Sequence, residues 1–376
     1  MNEYAQLLAG LTGAGDLGEE WRGAFERAPR SAFVPDVVWA PDEDGPSGFR
    51  RLRKADEPER WEELAGANTV VVTQLDDGKP DGPGVPTSSA SLPALVARML
   101  GHLDVEDGHR VMEVGTGTGW TAALLCARLG DENVTTVELD PAVGHAARRS
   151  LAAAGFKPVS VIGDGLDGWP LSAPFDRIHS TAAVQRVPRA WIEQTRPGGV
   201  IVTPWGTPYA NAGLLRLEVG EVGGPSYGRF VDNVSFMWVR AQRPQEADRP
   251  ATAPDSRGPS RMDPELASES VHAAFVIGLR VPGARYMHTW DEQDPALTYR
   301  MQLTDGRGSW ASVSYSDWDD DGAVHQAGPR RLWDEITRAR LWWLEEGRPE
   351  LTRFGITVTA DGEQAVWLDS PDHPIT

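Results

Sequence analysis

Residues 111–120 read Val111-Met112-Glu113-Val114-Gly115-Thr116-Gly117-Thr118-Gly119-Trp120. Apolar residues lead into a G-x-G-x-G turn, and apolar spacing of helical period follows it through residue 129. Such a turn lets backbone approach a ligand closely and aims the first amides of the helix at it. Outward from the turn, residues 93–103 read as a helix and 109–114 as a buried strand. Strands are expected at 133–138, 159–162, 175–181 and 199–204, with helices at 118–129, 141–154 and 189–195. Strands alternating with helices indicate parallel βαβ units. Residues 214–219 and 230–239 then read as antiparallel strands closing the sheet. The fold class is α/β, a mostly parallel sheet with an antiparallel closing strand.

The glycine spacing differs from the G-x-G-x-x-G of dinucleotide sites, and the acidic Glu113 precedes it. That combination favours S-adenosylmethionine over NAD, with Glu113 assisting at the cationic amino-acid end of the cofactor. A glycine turn with no ligand remains the alternative. Two downstream acids add weight. Glu138 ends the second strand, about 20 residues after the glycines, where a carboxylate accepts ribose hydroxyls. Asp164-Gly165 follows the third strand, where Asp164 can accept from an adenine amino group and Gly165 gives the ring room. Each acid alone reads more readily as a cap or turn residue than as a ligand. Gly115, Gly117, Gly119, Glu138, Asp164 and Gly165 at successive strand ends are where open α/β sheets bind ligands.

Residues 87–206 resemble the protein-L-isoaspartate O-methyltransferases. The resemblance is carried by residues 113–119, Gly163-Asp164-Gly165, Ala173-Pro174-Phe175-Asp176-Arg177-Ile178 and Thr181-Ala182-Ala183. Pro197-Gly198-Gly199-Val200 and Pro204-Trp205-Gly206 complete it, and Pro29-Arg30-Ser31-Ala32-Phe33-Val34-Pro35 is similar to the family's entry segment. It implies a Rossmann-like, S-adenosylmethionine-dependent methyltransferase fold and methyl transfer to a peptide carboxylate, with S-adenosylhomocysteine as product. The family's Thr-Ile-Ser-x-Pro segment stands here as Ser89-Ala90-Ser91-Leu92-Pro93. Carried over, Ser91 is the active-site hydroxyl, Ser89 faces the cofactor, and Ser88, Thr181 and Ala182 face the substrate. The serine at 89 departs from the family's threonine. Ser91 also reads as an ordinary helix N-cap. A carboxylate is already a nucleophile, so the chemistry asks for positioning and exclusion of water rather than a general base.

Composition bounds the rest. The 376 residues suggest two domains at ~150 residues each. A net charge of −19 disfavours nucleic acid and anionic membrane surfaces. No apolar run reaches the ~20 residues of a membrane span, and residues 1–20 do not read as a signal peptide. The single cysteine, Cys126, cannot form an internal disulfide. A cytoplasmic protein is expected. Only three basic residues are lysine, which reads as genome composition, and 15 residues are tryptophan, which reads as core or as a binding groove.

The expected organisation is an N-terminal helical and loop segment over 1–86 capping the site, with residues 41–60 a surface loop. A methyltransferase core follows over 87–241, then a linker over 242–264 and an α+β substrate-recognition domain over 265–376. In that last part residues 271–281, 301–303 and 309–315 read as strands and 330–346 as a helix. Residues 354–359 and 364–368 read as a hairpin. Asp317-Trp318-Asp319-Asp320-Asp321-Gly322 matches half of a calcium loop, but Gly328 stands where the closing glutamate belongs. It reads as a turn, and no metal is expected. His179 and Trp342-Trp343 read as core.

The order Val71-Val72-Thr73-Gln74, Pro86-Thr87-Ser88-Ser89 and the glycine turn is most similar to methyltransferases that accompany ATP-grasp (graspetide) and lanthipeptide clusters of actinobacteria. That resemblance implies methylation of an aspartate in a ribosomally made macrocyclic precursor peptide, already modified or cyclised, leading to aspartimide and isoaspartate. Repair of isoaspartate in proteins, methylation of a small carboxylate and a catalytically dead scaffold stand beside it as alternatives.

Overall fold

A computed structural model describes residues 3–42, 48–244, 252–290 and 298–375. Part of the expected linker, 245–251, lies outside the described residues. The chain begins with α1 (Glu3–Ala14) and α2 (Glu19–Arg27), then β1 (Val37–Pro41), β2 (Phe49–Arg53), α3 (Pro58–Gly66), β3 (Val71–Leu75) and β4 (Pro86–Ala90). The four strands form an antiparallel sheet in the order β2-β1-β3-β4. The expected loop over 41–60 is therefore partly strand. Its charges hid this: in Phe49–Arg53 only Leu52 is buried, while Arg51 and Arg53 are exposed.

Helix α4 (Pro93–Leu103) leads into β5 (Val111–Val114), α5 (Trp120–Leu129), β6 (Val134–Glu138), α6 (Pro141–Ala153) and β7 (Val159–Ile162). Then come β8 (Phe175–Ser180), α7 (Arg189–Glu193), β9 (Thr195–Gly206), β10 (Asn211–Glu218) and β11 (Ser226–Asn233). Strands β5 to β9 are parallel, and β10 and β11 return antiparallel. The chain winds from β5 outward through β6 to β7, then crosses to β8 on the other side of β5. That reversal is a topological switch point, and it opens a crevice at the carboxyl ends of β5 and β8.

The last third holds β12 (Ser256–Gly258), α8 (Val271–Arg280), β13 (Arg285–Trp290), β14 (Tyr299–Thr304), β15 (Trp310–Ser314), β16 (Val324–Ala327), α9 (Leu332–Glu345), β17 (Phe354–Val358) and β18 (Gln364–Leu368). Residues 271–281, expected as a strand, form α8. A continuous apolar run carries no period to separate helix from strand; Ser270 decides it by accepting from the Ala273 amide as an N-cap. Strand β12 stands within the expected linker and pairs with β16.

The expected separate domain at 265–376 is not closed off from the core. Strands β17 and β18 join the large sheet through β11, giving nine strands in the order β18-β17-β11-β10-β9-β8-β5-β6-β7. Strands β12 to β16 form a second sheet in the order β12-β16-β15-β14-β13. Helices α8 and α9 lie between the two. Phe275 and Trp343 pack with Trp205, Phe230 and Phe354 of the nine-stranded sheet. Ile277, Trp333 and Ile336 pack with Met301 and Val313 of the five-stranded one. Among the described residues no helix is long and apolar enough to cross a membrane.

Candidate active site

A cavity of about 470 Å³ opens at the β5/β8 switch point. Its floor is the glycine turn. Gly115 has φ +90°, and a Cβ there would stand 2.7 Å from the Thr181 hydroxyl. That hydroxyl donates to the Gly115 carbonyl at 2.6 Å, so strand end β8 holds the turn on β5. Gly165 approaches as closely from the β7 side, where a Cβ would lie 2.5 Å from Val114 Cγ1.

Glu138 ends β6 and accepts from the Gly117 amide at 2.9 Å and the Asp140 amide at 3.0 Å. Burial raises its pKa, and the two amides pull the other way. Asp164 lines the cavity beside Gly165 and Leu166, one oxygen accepting from the Leu166 amide at 2.9 Å. Apolar walls come from Val114, Val137, Leu139 and Leu166. Acidic acceptors at two strand ends, exposed turn backbone and apolar walls are a donor and surface set that suits a nucleoside.

The structure brings Ser88, Ser89, Ser91, Gly115, Gly117, Glu138, Asp164, Gly165, Thr181 and Ala182 to this one cavity. Gly119 and Glu113 stand elsewhere. Gly119 takes φ +88° to start α5 and packs against Leu151. Glu113 is wholly buried beneath the turn. Alternation along β5 sends Val114 toward the cavity and Glu113 to the opposite face. There its carboxyl accepts from Thr136 Oγ1 at 2.5 Å, and Thr136 meets Thr116 of the turn at 2.6 Å. Burial pushes the Glu113 pKa up to about 8. Glu113 thus supports the turn from behind, its carboxyl biased toward the protonated form by burial. His179, its register partner on β8, is also fully buried and its pKa is pushed down to about 4.

Ser91 faces the cavity because α4 takes its cap from another residue. Asn68 Oδ1 accepts from the Ala94 amide at 3.0 Å, and no side chain at the cap position bonds the helix. The backbone at Ser91 is tied by Arg30. This buried guanidinium donates to the carbonyls of Leu64, Ala65, Ala67, Thr69, Ala90 and Ser91. Burial lowers its pKa to about 10. One side chain from the entry segment therefore fixes α3, β3 and the Ser91 strand end together.

The far wall is residues 235–240, which leave β11 and cross to β8. Ala183 donates to the Met237 carbonyl at 2.8 Å, and Val239 donates to the Ala183 carbonyl at 2.9 Å. Beyond them, Arg240 bridges Asp77 and Asp140, both at 2.9 Å. Arg243 is bidentate to Asp77 at 3.1 Å. Gln74 donates to Asp140 at 3.2 Å. Arg243 holds the Asp77 carboxyl below the usual carboxylate range. At Asp140 burial opposes ionisation, but Arg240, Gln74 and two helix amides outweigh it. These pairs clasp the β3–β4 hairpin to residues 240–243 across the cavity mouth. Reading the sequence missed Gln74, Asp140, Trp238, Arg240 and Arg243. Asp140-Pro141 signals only a helix start, and Arg243 meets Asp77 across 166 residues. The Arg30 motif was visible, though its role was not.

The family model for protein-L-isoaspartate(D-aspartate) O-methyltransferase matches residues 83–219. The protein-L-isoaspartate O-methyltransferase of Methylorubrum extorquens (strain PA1) is 45% identical over 194 residues, 52% of this chain and 69% of that protein. This chain belongs to the protein-L-isoaspartate O-methyltransferase family. The relative from Gloeobacter violaceus is 42% identical over 161 residues, 43% of this chain and 77% of its own length. Other relatives are spanned only in part. The one from Ignicoccus hospitalis is 42% identical over 116 residues, 55% of its length. A solved protein-L-isoaspartate O-methyltransferase structure shares the fold at TM-score 0.55 and 18% identity, covering 98% of this chain and 100% of that one. Asp77, Arg240 and Arg243 all lie outside the matched residues 83–219.

Proposed function

We propose that this chain is an S-adenosylmethionine-dependent carboxyl O-methyltransferase acting on isoaspartyl residues of polypeptides in the cytoplasm. The observation that carries the reading is the sharing of one cavity by Ser91, the glycine turn, Glu138 and Asp164. That volume lies within the range of small-molecule sites, about 300–1,000 Å³. Glu138 would take ribose hydroxyls, Asp164 and Gly165 the adenine edge, and the turn backbone the amino-acid end. When bound, S-adenosylmethionine supplies a methyl group made electrophilic by a sulfonium centre, leaving S-adenosylhomocysteine.

The chain's own residues then have limited work. Ser91 donates a hydrogen bond that orients the substrate carboxylate. Ser88, Thr181 and Ala182 border the same space and shape the acceptor's approach. The carboxylate needs no base to become a nucleophile, so rate enhancement comes from alignment. Residues 235–243 and the Arg240–Asp77–Arg243 clasp restrict water at the mouth.

A second reading is tailoring of a chosen aspartate in a macrocyclic precursor peptide, the methyl ester closing to aspartimide. The five-stranded sheet favours it, since that sheet lies wholly outside the matched residues 83–219. Incubation with labelled cofactor decides between the two. An isoaspartyl hexapeptide should be esterified if the first reading holds. Turnover confined to a cyclised precursor would replace it with the second. Transfer to neither, with no cofactor binding by calorimetry, would sink both.

A further inference from the structure

Among the described residues, the face of the five-stranded sheet that packs on α9 continues past the helix as a partly exposed aromatic surface. Register pairs set this face. Leu303 opposes Tyr286, Met301 opposes His288 and Tyr299 opposes Trp290. Opposed residues in an antiparallel pair share a face. At one end Met301 and Leu303 are buried against Trp333 and Ile336. At the other, Trp290 is 63% exposed.

The aromatic residues there form a connected set. Trp290 and Tyr299 have ring centroids 4.9 Å apart, and Tyr299 and Tyr315 are 5.3 Å apart. His288 stacks on Tyr299 at 6.0 Å, and its Nδ1 meets the Tyr315 hydroxyl at 2.9 Å. Tyr286 stands 5.3 Å from His288. The set is anchored at its inner end by Tyr209, which lies 4.7 Å from Tyr286 and donates to the Ala267 carbonyl at 3.0 Å.

Two acids, Asp263 and Glu265, stand on the turn beside these rings. Burial raises the Tyr315 pKa, and the neighbouring tyrosines and the carboxylates of Glu265 and Asp263 raise it further. Both acids stand on the turn Asp263–Ala267, whose Ala267 carbonyl holds the Tyr209 hydroxyl at the inner end of the cluster. Burial lowers the pKa of His288, which favours the uncharged imidazole. Ring faces carry negative quadrupole potential, and carboxylates at the margin add to it. Such a surface attracts an ammonium or a guanidinium.

We propose that Trp290, Tyr299, Tyr315 and Tyr286, with Glu265 and Asp263, form a docking site for a lysine or arginine side chain of the polypeptide substrate. The inference rests on the polypeptide-substrate reading above. It supplies a local source of recognition on a chain whose net charge is −19. A basic residue in the substrate is drawn to an acidic, aromatic surface, while the clasp arginines stand at the mouth that receives the carboxylate.

Calorimetric titration of the full chain with two isoaspartyl peptides tests this. They differ only in carrying arginine or its uncharged isostere citrulline. The arginine peptide should bind at least about 5-fold more tightly. Trp290→Ala, at a position 63% exposed, should bring the ratio to about 1. Glu265→Gln should reduce it about 2-fold. Equal affinities in the unaltered protein, or a ratio that survives Trp290→Ala, would overturn the proposal. So would a dimer in sedimentation velocity that Trp290→Ala dissolves, since a second copy would then be the occupant. Methyl transfer to both peptides is read in parallel. Discrimination without transfer leaves the docking site standing and removes the reading of isoaspartyl residues as the methyl acceptor. Transfer with equal affinities does the reverse.

Discussion

The two large sheets bury their strands in different ways. Strand β5 of the nine-stranded sheet is buried at every residue, with helices on both faces, and its polar chemistry begins where the strand stops. Strand β13 of the five-stranded sheet has no fully buried residue, and its side chains carry their polar and aromatic groups along the strand itself. A doubly covered strand can offer ligands only its end, so its site is a crevice. A strand at an edge, covered over part of one face, offers a surface. The first arrangement suits a small cofactor held on most sides, the second one side chain of a larger partner.

The comparison breaks most severely if either half loses its anchor. Arg30→Ala should lower unfolding free energy by about 3–5 kcal/mol, because six carbonyls lose a buried donor. Trp333→Ala should cost a similar ~3–5 kcal/mol through the cavity left under α9. Both should melt in one calorimetric transition, since β17 and β18 tie the last third into the nine-stranded sheet. A separate early transition in Trp333→Ala would make the five-stranded sheet an independent domain.

Next in size is Ser91→Ala. Turnover should fall about 100-fold, equivalent to about 2.7 kcal/mol of barrier, while cofactor affinity measured by calorimetry stays unchanged. Unaltered turnover would remove Ser91 from the site's chemistry.

A smaller effect reports on Glu113. Its pKa is raised from 4.5 to about 8 in the folded chain. The unfolded state therefore ionises first, and this contribution is complete below pH 4.5 and lost as pH rises toward 8. His179 acts oppositely: its pKa falls from 6.5 to about 4, so its contribution is lost as pH falls through that window. Of these two, only Glu113 acts between pH 6.5 and 8, at up to about 1.4 kcal/mol per pH unit. Chemical denaturation across that range should show the decline, and Glu113→Gln should flatten it. Smallest of all, Trp290→Ala should change stability by no more than about 0.5 kcal/mol. A larger loss would mean that the aromatic surface belongs to the core.

Much of the cavity is legible in the sequence, because its parts are local. A strand, three glycines and a helix within ten residues announce a ligand turn, and Glu138 and Asp164 follow at strand ends that hydrophobic patterning locates. The terminal hairpin was legible for the same reason. Glu113 shows where local reading stops. Its position in the motif suggested a ligand contact, yet one step of strand alternation turned it behind the sheet.

What the amino-acid order determined by itself is whatever depends on neighbours in the chain: the positive φ that Gly115 and Gly119 accept, the βαβ alternation and the acids at strand ends. Tertiary structure alone decided that Arg243 meets Asp77, that α8 is a helix shared by two sheets, and that β17 pairs with β11. Each of those joins segments far apart in sequence. No period in the chain encodes such a pairing; it follows from which faces remain to be buried once the local elements have formed.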